Sequence, residues 1–231
     1  MTITLVTGAT MGLGHETARR LVSAGHTVYV GARDAARGRA VADELGARML
    51  LLDVSDDDSV RAAAEALQAE SGQLDVLINN AGIVGARRPP AEVTAADMRG
   101  VYETNVFGIV RVTGAFLPLL QAAPHPVVVN VSSGMGSHSR TRDPGRMESS
   151  FASLAYASSK AAVNMLTVQY AKALPAIRFN AVDPGFTSTN LNNHRGTQTV
   201  EQGTDAIVRM ATLGAHSPTG TFVDSAGAVP W

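Results

Sequence analysis

The sequence ITLVTGATMGLG, residues 3–14, joins an apolar, β-rich run to a turn of spacing G-x-x-x-G-x-G, and a helical pattern begins directly after it. Glycines allow a sharp turn and a close approach of the backbone to a pyrophosphate, which binds at the N-terminus of the following helix. Glycine-rich turns after strands are common, but this position between a strand and a helix favours a dinucleotide site. The candidate cofactor contacts in the turn are Gly8, Thr10, Met11, Gly12, Leu13 and Gly14.

The alternation that begins there continues along all 231 residues. Short, nearly continuous apolar runs are typical of parallel strands buried on both faces, and longer helical patterns separate them. We therefore predict an α/β, Rossmann-type, doubly wound and mostly parallel sheet of seven strands, with helices on both faces. The predicted strands are 3–6, 27–31, 48–52, 76–79, 127–131, 178–182 and 220–223, and the predicted helices are 14–24, 35–45, 56–70, 95–121, 155–174 and 200–213.

The chain shows no repeat, no low-complexity tract and no linker, so residues 1–231 are interpreted as a single domain for both cofactor binding and catalysis. Segment 134–153 is rich in Ser, Gly, Arg and Asp and is predicted to be an irregular insertion. Segment 187–203 is expected to form one wall of the substrate pocket. The helix near 56–70 is predicted to be capped by Ser55 paired with Asp58.

Composition excludes several classes of function. The formal net charge is -1 and no basic block occurs, so neither a nucleic acid nor an anionic membrane is an expected partner. The absence of cysteine excludes disulfides, thiol catalysis and Cys-ligated metal. Residues 112–139 contain no charged side chain, but three prolines interrupt them, so no membrane span is predicted. No signal peptide is visible at the start of the chain, and a cytoplasmic protein is expected.

The end of the second predicted strand bears on the choice of cofactor. Dinucleotide folds that use NAD place an acidic residue here for the ribose 2′-hydroxyl, but Ala32 stands at that position and Arg33 follows it. An arginine offers a planar fork for a 2′-phosphate, which favours NADP(H). NAD(H) stays open, because Arg33 could be a solvated loop residue and Asp34 could reach the ribose.

Two further strand ends supply candidate cofactor contacts. Asp53, followed by Val54, ends the third strand and could accept a hydrogen bond from the adenine amino group, or could simply precede a helix. Residues 79–82 (Asn-Asn-Ala-Gly) close the fourth strand, where small residues permit close approach of a ribose and asparagines also satisfy turn backbone. The candidates here are Asn80, Ala81 and Gly82.

Tyr156 and Lys160 lie four residues apart in a helical pattern, so they share one face, one turn apart. A nearby ammonium favours the phenolate, and we expect it to lower the pKa of Tyr156 towards the neutral range. The spacing also arises by chance, but this pair follows the fifth strand, and ligands bind at the carboxyl ends of such strands. Ser133 ends that strand, where its hydroxyl could donate to a substrate carbonyl.

Taken together, the motifs resemble the short-chain dehydrogenase/reductase (SDR) family over essentially the whole chain. Two further stretches, GARDAARGRA at 31–40 and GTFVDSAGAVPW at 220–231, have the character of its carbonyl-reductase branch. The motifs that carry the resemblance are TGATMGLG at 7–14, NNAG at 79–82, ETNVFG around Asn105, NVSS at 130–133, YASSK at 156–160 and NAVDPGFTST at 180–189.

The resemblance implies a catalytic role for four residues. Ser133 would polarise the carbonyl, and Tyr156 would protonate the nascent alkoxide or deprotonate an alcohol. Lys160 would hold the nicotinamide ribose and tune Tyr156, and Asn105 would position a water that relays protons to Lys160. Tyr156 and Lys160 therefore also count as cofactor contacts, and no metal is implied.

The resemblance also places the loop after the sixth strand beside the nicotinamide: Pro184 and Gly185 would flank the ring, and Thr187 and Thr189 would bind its carboxamide. The sequence departs from the family in two places. The interval from Ser133 to Tyr156 is longer than the common short spacing, so segment 134–153 could form a lid or cover a subunit surface. The glycine turn lacks the basic residue of many NADP-using relatives, which leaves Arg33 as the main support for NADP(H).

The implied function is NADPH-dependent reduction of an aldehyde, ketone or quinone, with a small molecule as the partner. An NAD(P)-linked alcohol dehydrogenase working in the oxidative direction is the alternative. A catalytically silent dinucleotide-binding regulator is a third reading, although such proteins typically lose the tyrosine or the lysine. A homodimer through helices 95–121 and 155–174 is the family's usual arrangement, and segment 134–153 folding over helix 155–174 is the monomeric alternative.

Overall fold

A computed structural model describes residues 1–231. Its eight strands form one sheet in the order β3-β2-β1-β4-β5-β6-β7-β8, in which only the β7–β8 pair is antiparallel. The strands are β1 (Ile3–Thr7), β2 (Thr27–Ala32), β3 (Arg48–Leu51), β4 (Val76–Asn79), β5 (Val127–Val131), β6 (Arg178–Val182), β7 (Thr221–Asp224) and β8 (Gly227–Ala228).

Helices cover both faces of the sheet, and each face has its own apolar core. Leu67, Phe116 and Ala171 belong to the core on one face, and Leu21, Val41 and Ile207 belong to the core on the other. The helices are α1 (Gly12–Ser23), α2 (Ala35–Leu45), α3 (Asp57–Ser71), α4 (Ala95–Tyr102), α5 (Gly108–Ala122), α6 (His138–Arg142), α7 (Leu154–Ala173) and α8 (Val200–Thr212).

The strand order reverses between β1 and β4, and this reversal positions the site. The chain moves outward from β1 to β2 and β3, then returns to the other side of β1 to continue with β4, β5 and β6. The connections on either side of a reversal diverge, so a crevice opens at the carboxyl ends of the strands. The glycine turn after β1 and the ends of β4 and β5 all border this crevice.

The predicted doubly wound sheet is confirmed, and all seven predicted strands are present with ends that differ by at most one residue. The predicted number of strands was wrong, because β8 adds a two-residue antiparallel strand that is too short for an alternation pattern to reveal. The helix predicted over 95–121 is present as a continuous helical stretch, Ala95–Ala122, but it is not α-helical throughout. A wide, π-helical turn at Glu103–Phe107 separates α4 from α5.

Two local predictions need correction. Asp56, not Ser55, caps α3: its carboxylate accepts a hydrogen bond from the Ser59 backbone N–H at 2.7 Å. Segment 134–153 is largely ordered into short helical turns rather than irregular, and it contains α6 between 3₁₀ turns at Gly134–Gly136 and Met147–Ser150. The Ser137 hydroxyl caps α6 by accepting from the Arg140 N–H.

The continuous helical stretch Ala95–Ala122 is long and apolar enough to cross a membrane by length and composition alone. Half of its apolar window is buried inside the protein. Val112, Phe116 and Leu119 fill the core beneath the sheet, and the core helix of a globular protein meets the same criteria.

Part of the outer surface of α7 and α5 stays exposed. The side chains of Met165, Phe107 and Val110 are 58%, 46% and 41% exposed. Segment 134–153 leaves these side chains uncovered, although its Gly134–Gly136 turn packs on another part of α7, where the Asn164 Nδ2 donates to the Gly136 carbonyl at 3.1 Å. The homodimer through this surface stays a prediction.

Candidate active site

The glycine turn after β1 is shaped by close backbone packing. Gly8 has a φ of +62°, and a Cβ there would lie 3.0 Å from the Ala81 Cα. A Cβ on Gly14 would lie 2.5 Å from both the Gly8 carbonyl oxygen and the Asn80 Nδ2. Any larger residue at position 14 would force the turn away from β4.

The first turn of α1 presents backbone N–H groups that no side chain caps. The residue before the helix is Met11, which makes no capping hydrogen bond, and the first turn contains no acidic residue. A helix N-terminus of this kind attracts anions. Together with the glycine turn, it fits the pyrophosphate of a dinucleotide.

The Asn80 side chain supports the turn itself. Its Nδ2 donates to the Thr7 carbonyl at 2.9 Å and the Gly8 carbonyl at 3.1 Å. Of the predicted contacts after β4, Gly82 has the clearest relation to a ligand. A Cβ there would lie 3.6 Å from the Lys160 Nζ and 3.4 Å from the Asn105 Oδ1, so a side chain would occupy the space in front of both polar groups.

The edge after β2 is cationic. Arg33 is exposed and makes no hydrogen bond or ion pair with the chain. The Asp34 carboxylate is engaged as the cap of α2, because its Oδ1 accepts from the N–H groups of Ala36 and Arg37 at 3.0 and 3.1 Å. The Asp34 carboxylate is therefore already engaged as a helix cap, whereas the Arg33 guanidinium is available to contact a phosphate.

Asp53 lies at the carboxyl end of β3, as predicted. Its Oδ1 accepts from the Ser55 hydroxyl at 2.6 Å and the Ser55 N–H at 2.9 Å. The Ser55 hydroxyl holds the pKa of Asp53 below its usual value, so the carboxylate is a ready acceptor. Val54 is buried, and a Cβ on Gly108 would lie 3.0 Å from its side chain. The role of Val54 as a cofactor contact stays a prediction.

Ser133, Tyr156 and Lys160 come together where β5 ends and α7 begins. The buried Lys160 Nζ donates to the Val131 carbonyl at 2.8 Å and lies 5.7 Å from the centroid of the Tyr156 ring. Tyr156 is half-buried and lines a cavity together with Ser133. The neighbouring Ser132 has a structural contact, since its hydroxyl donates to the Asn164 Oδ1 at 2.6 Å.

The expected lowering of the Tyr156 pKa is not what the structure gives. Burial raises the pKa of Tyr156 to about 12, and the neighbouring Ser133 hydroxyl offsets this only in part. Burial also lowers the pKa of Lys160 to about 8. The prediction was wrong because it considered the attraction of the Lys160 ammonium for the phenolate but not the effect of burial. Burial removes water and disfavours the charged form of both groups.

Asn105 lies in the wide turn at Glu103–Phe107 and is completely buried. Its Oδ1 accepts from the Ile83 N–H at 2.8 Å, and its Nδ2 donates to the Ile83 carbonyl and to the Ser159 hydroxyl at 2.9 and 3.0 Å. The side chain therefore fastens the segment after β4 to α7. Its role in positioning a water stays a prediction.

The loop after β6 turns at Gly185, whose φ is +69°. The Thr187 hydroxyl donates to the Pro184 carbonyl at 2.9 Å and accepts from Gln198 Nε2 at 2.8 Å. Gln198 Nε2 also donates to the Pro184 carbonyl. Sequence reasoning missed Gln198, because nothing in its neighbourhood distinguishes it from a solvated loop residue.

The same loop reaches back to the glycine turn. A Cβ on Gly12 would lie 3.5 Å from the Thr189 methyl carbon. The predicted nicotinamide and pyrophosphate contacts are thereby brought to one crevice, with Thr189 facing the turn and Pro184 and Gly185 facing the cavity.

A cavity of about 640 Å³ opens beside Tyr156. Ser133 and Tyr156 lie on its wall together with Pro184 and Gly185, and apolar side chains make up half of its lining residues. A second cavity of about 320 Å³, on the other side of the Pro184–Gly185 turn, is mainly polar and contains neither Ser133 nor Tyr156. We therefore place the chemistry in the larger cavity.

Sequence reasoning also missed a buried ion-pair cluster behind this cavity. The Arg140 guanidinium contacts Asp183 and Asp224 at 2.6 Å each and Glu148 at 3.7 Å. The side chains of Arg140 and Asp183 are 10% and 5% exposed. The cluster joins segment 134–153 to the ends of β6 and β7, and partners 43 and 84 residues apart leave no local pattern.

Comparison with known proteins agrees with this geometry. Residues 2–199 match the family model described as short chain dehydrogenase. The chain belongs to this family. It is an NAD(P)-dependent dehydrogenase/reductase, as predicted, and its fold is one that binds a nicotinamide dinucleotide.

Two curated relatives and one solved structure illustrate how similar the chain is to known proteins. A short-chain dehydrogenase from Penicillium roqueforti, anuI, is 36% identical over 226 residues, covering 92% of this chain and 89% of that protein. Cis-4-hydroxycyclohexanecarboxylate dehydrogenase from Sinomonas cyclohexanicum is 37% identical over 227 residues, covering 94% and 82%. The NADPH-bound carbonyl reductase from chicken fatty liver is 25% identical, with a TM-score of 0.87 and 100% coverage of both chains.

Proposed function

We propose that this dehydrogenase/reductase uses NADPH to reduce a carbonyl group (an aldehyde, a ketone or a quinone) to an alcohol, with Tyr156 as the general acid. The observation that carries the proposal is the half-apolar cavity on whose wall Ser133 and Tyr156 lie beside Pro184 and Gly185. An apolar pocket with a few convergent polar groups suits a small organic substrate.

Each catalytic side chain has a role that fits its surroundings. The Ser133 hydroxyl donates to the carbonyl oxygen of the substrate and stabilises the negative charge that develops there. The Tyr156 hydroxyl then gives its proton to that oxygen. Lys160 holds the ribose of the cofactor through an ammonium that faces the space in front of Gly82. When bound, the cofactor supplies the hydride.

The protonation state of Tyr156 fits its proposed role as the proton donor. Since burial raises the pKa of Tyr156 to about 12, the phenol carries its proton at neutral pH and is ready to act as an acid.

Turnover is tested by following NADPH oxidation across a panel of aldehydes, ketones and quinones at neutral pH. Because one relative is named for a hydroxylated cyclohexanecarboxylate, the panel includes cyclic ketones. We expect at least one compound class to be reduced to its alcohol, identified by mass. Tight binding of NADPH with no oxidation by any compound would instead favour the regulator.

The preference for NADPH rests on Arg33. The residue is exposed at the end of β2 and unpaired, and Asp34 is engaged in capping α2. A guanidinium binds a phosphate through paired, charge-assisted hydrogen bonds. The NADPH-bound carbonyl reductase of similar fold is consistent with this preference.

Replacing Arg33 tests the preference directly. We expect Arg33→Ala to weaken NADPH binding by about 10- to 100-fold, the value of losing hydrogen bonds to a charged group, and to leave NADH binding nearly unchanged. Dissociation constants from cofactor fluorescence measure both. Arg39→Ala, an exposed arginine on α2, is the matched control. An equal loss with both cofactors would mean that Arg33 does not contact the 2′-phosphate.

A further inference from the structure

Three arginines line the large cavity. Arg87 and Arg88 follow β4, and Arg195 lies in the loop between β6 and α8. All three residues are exposed, and the family motifs include none of them. They come from segments more than 100 residues apart, yet the fold brings them to one opening.

Neither Arg87 nor Arg195 has a carboxylate partner in the chain, and Arg88 has only a distant one. Arg195 makes no side-chain hydrogen bond or ion pair, and the nearest carboxylate to Arg88 is that of Asp97 at 3.9 Å. Arg87 makes one contact, in which its Nη2 donates to the Leu191 carbonyl at 3.3 Å. By contrast, the exposed Arg61 pairs with Asp58 at 2.7 Å.

The cavity's own acidic groups do not neutralise this charge. Asp183 and Glu148 reach the cavity wall, but Arg140, which lies outside the cavity, contacts them at 2.6 and 3.7 Å. The rest of the wall includes large apolar side chains, among them Phe151, Phe186 and Leu191. The cavity therefore combines an apolar wall with three arginines, of which only Arg88 has a carboxylate nearby.

We propose that the preferred carbonyl substrate has an apolar body and a carboxylate, and that Arg87, Arg88 and Arg195 bind this carboxylate. A guanidinium presents its N–H donors in a fork that matches the two oxygens of a carboxylate. The apolar wall takes the body of the substrate while its carbonyl reaches Ser133 and Tyr156. The inference rests on the proposed function and adds the chemical class of the substrate.

A matched pair of ketones tests the inference. 4-Oxocyclohexanecarboxylate and 4-oxocyclohexanecarboxamide have nearly the same size and differ in charge. We expect the wild-type enzyme to prefer the acid by about tenfold or more in kcat/KM, through a lower KM rather than a higher kcat, because binding far from the reacting carbon acts on both ground and transition states. Raising the ionic strength should reduce the preference, because exposed charges are screened by salt.

Variants assign the preference to the three arginines. Each single change to Gln should lower kcat/KM for the acid by about two- to fivefold, as for an exposed ion pair, and the triple variant should remove the preference. Turnover of the amide and the Kd for NADPH should not change. Arg99→Gln, an exposed arginine on α4 outside the cavity, is the control and should keep the preference.

Several results would overturn the inference. Equal kcat/KM for acid and amide in the wild type would do so, and so would an undiminished preference in the triple variant. A parallel loss of NADPH affinity would assign the arginines to the cofactor. Calorimetric titration of the acid into the NADP⁺-bound protein, which cannot reduce it, separates this inference from the proposed function. If the acid binds and the triple variant abolishes binding, but no ketone is reduced, the proposed reduction fails and the arginine site stands.

Discussion

Tyr156→Phe is expected to lower kcat for carbonyl reduction by about 10²- to 10⁴-fold, the usual contribution of a positioned general acid. Phenylalanine keeps the ring that lines the cavity and removes only the proton donor. Because Lys160 is held by the Val131 carbonyl rather than by the phenol, its ammonium should keep its position, and NADPH should bind nearly as well as to the wild type. Steady-state kinetics and cofactor fluorescence measure the two effects.

The matched control lies on the same helix. Tyr170 stacks on Phe179 with ring centroids 5.1 Å apart, and its hydroxyl makes no hydrogen bond. Tyr170→Phe removes the same oxygen at a distance from the cavity and should leave kcat close to the wild-type value. Substantial reduction by Tyr156→Phe would reject Tyr156 as the acid, and an equal fall in both variants would point to damage to α7.

The outline of the fold could be predicted from sequence because the signals that decide it are local. Each buried parallel strand is a short apolar run, and the glycine turn lies between the first strand and the first helix. The π-helical turn at Glu103–Phe107 has no such signal. The Asn105 side chain in this turn forms hydrogen bonds with Ile83 and Ser159, which are distant in sequence and leave no local pattern.

The candidate site was predictable in position but not in electrostatics. The motifs correctly brought Ser133, Tyr156 and Lys160 to one place. The direction in which the pKa of Tyr156 shifts was not predicted, because the shift depends on burial by segments that sequence spacing does not describe. The three arginines at the cavity were missed for the same reason, since an arginine in a polar loop acquires significance only when its neighbours are known.

The Arg140 cluster illustrates the limit most clearly. Asp183 was visible within the motif NAVDPGFTST, but its partner lies in segment 134–153, where the sequence indicated an irregular insertion. The structure shows instead that this segment is held to the sheet by a nearly buried guanidinium. Segment 134–153 contributes Met147 and Phe151 to the large cavity, so we expect loss of the cluster to alter the shape of that cavity.

Arg140→Met is expected to lower the free energy of unfolding at pH 7 by about 3–5 kcal/mol, the usual cost of removing one partner from a buried ion pair. Methionine keeps much of the side-chain volume, so the fall in the free energy of unfolding mainly measures the removal of the positive charge. Asp183 and Asp224 would be left without their cation, and the segment that carries Met147 and Phe151 should loosen. Urea denaturation measures the free energy. Arg142→Met, an exposed arginine on α6, should change it by less than about 0.5 kcal/mol.

The pH dependence distinguishes lost charge from lost packing. Burial raises the pKa of Asp183 in spite of Arg140, so the folded chain holds this proton more tightly than the unfolded chain. The Asp183 carboxyl therefore favours folding at low pH, and that contribution is lost as the pH rises through the folded pKa.

Without Arg140 the folded pKa of Asp183 should rise further, which enlarges the cost of the buried carboxylate at neutral pH. The difference between Arg140→Met and the wild type should consequently shrink as the pH is lowered from 7, because protonation of Asp183 removes the uncompensated charge. A difference that does not change with pH would mean that Arg140 stabilises this region through packing, and that its ion pairs with Asp183 and Asp224 contribute little.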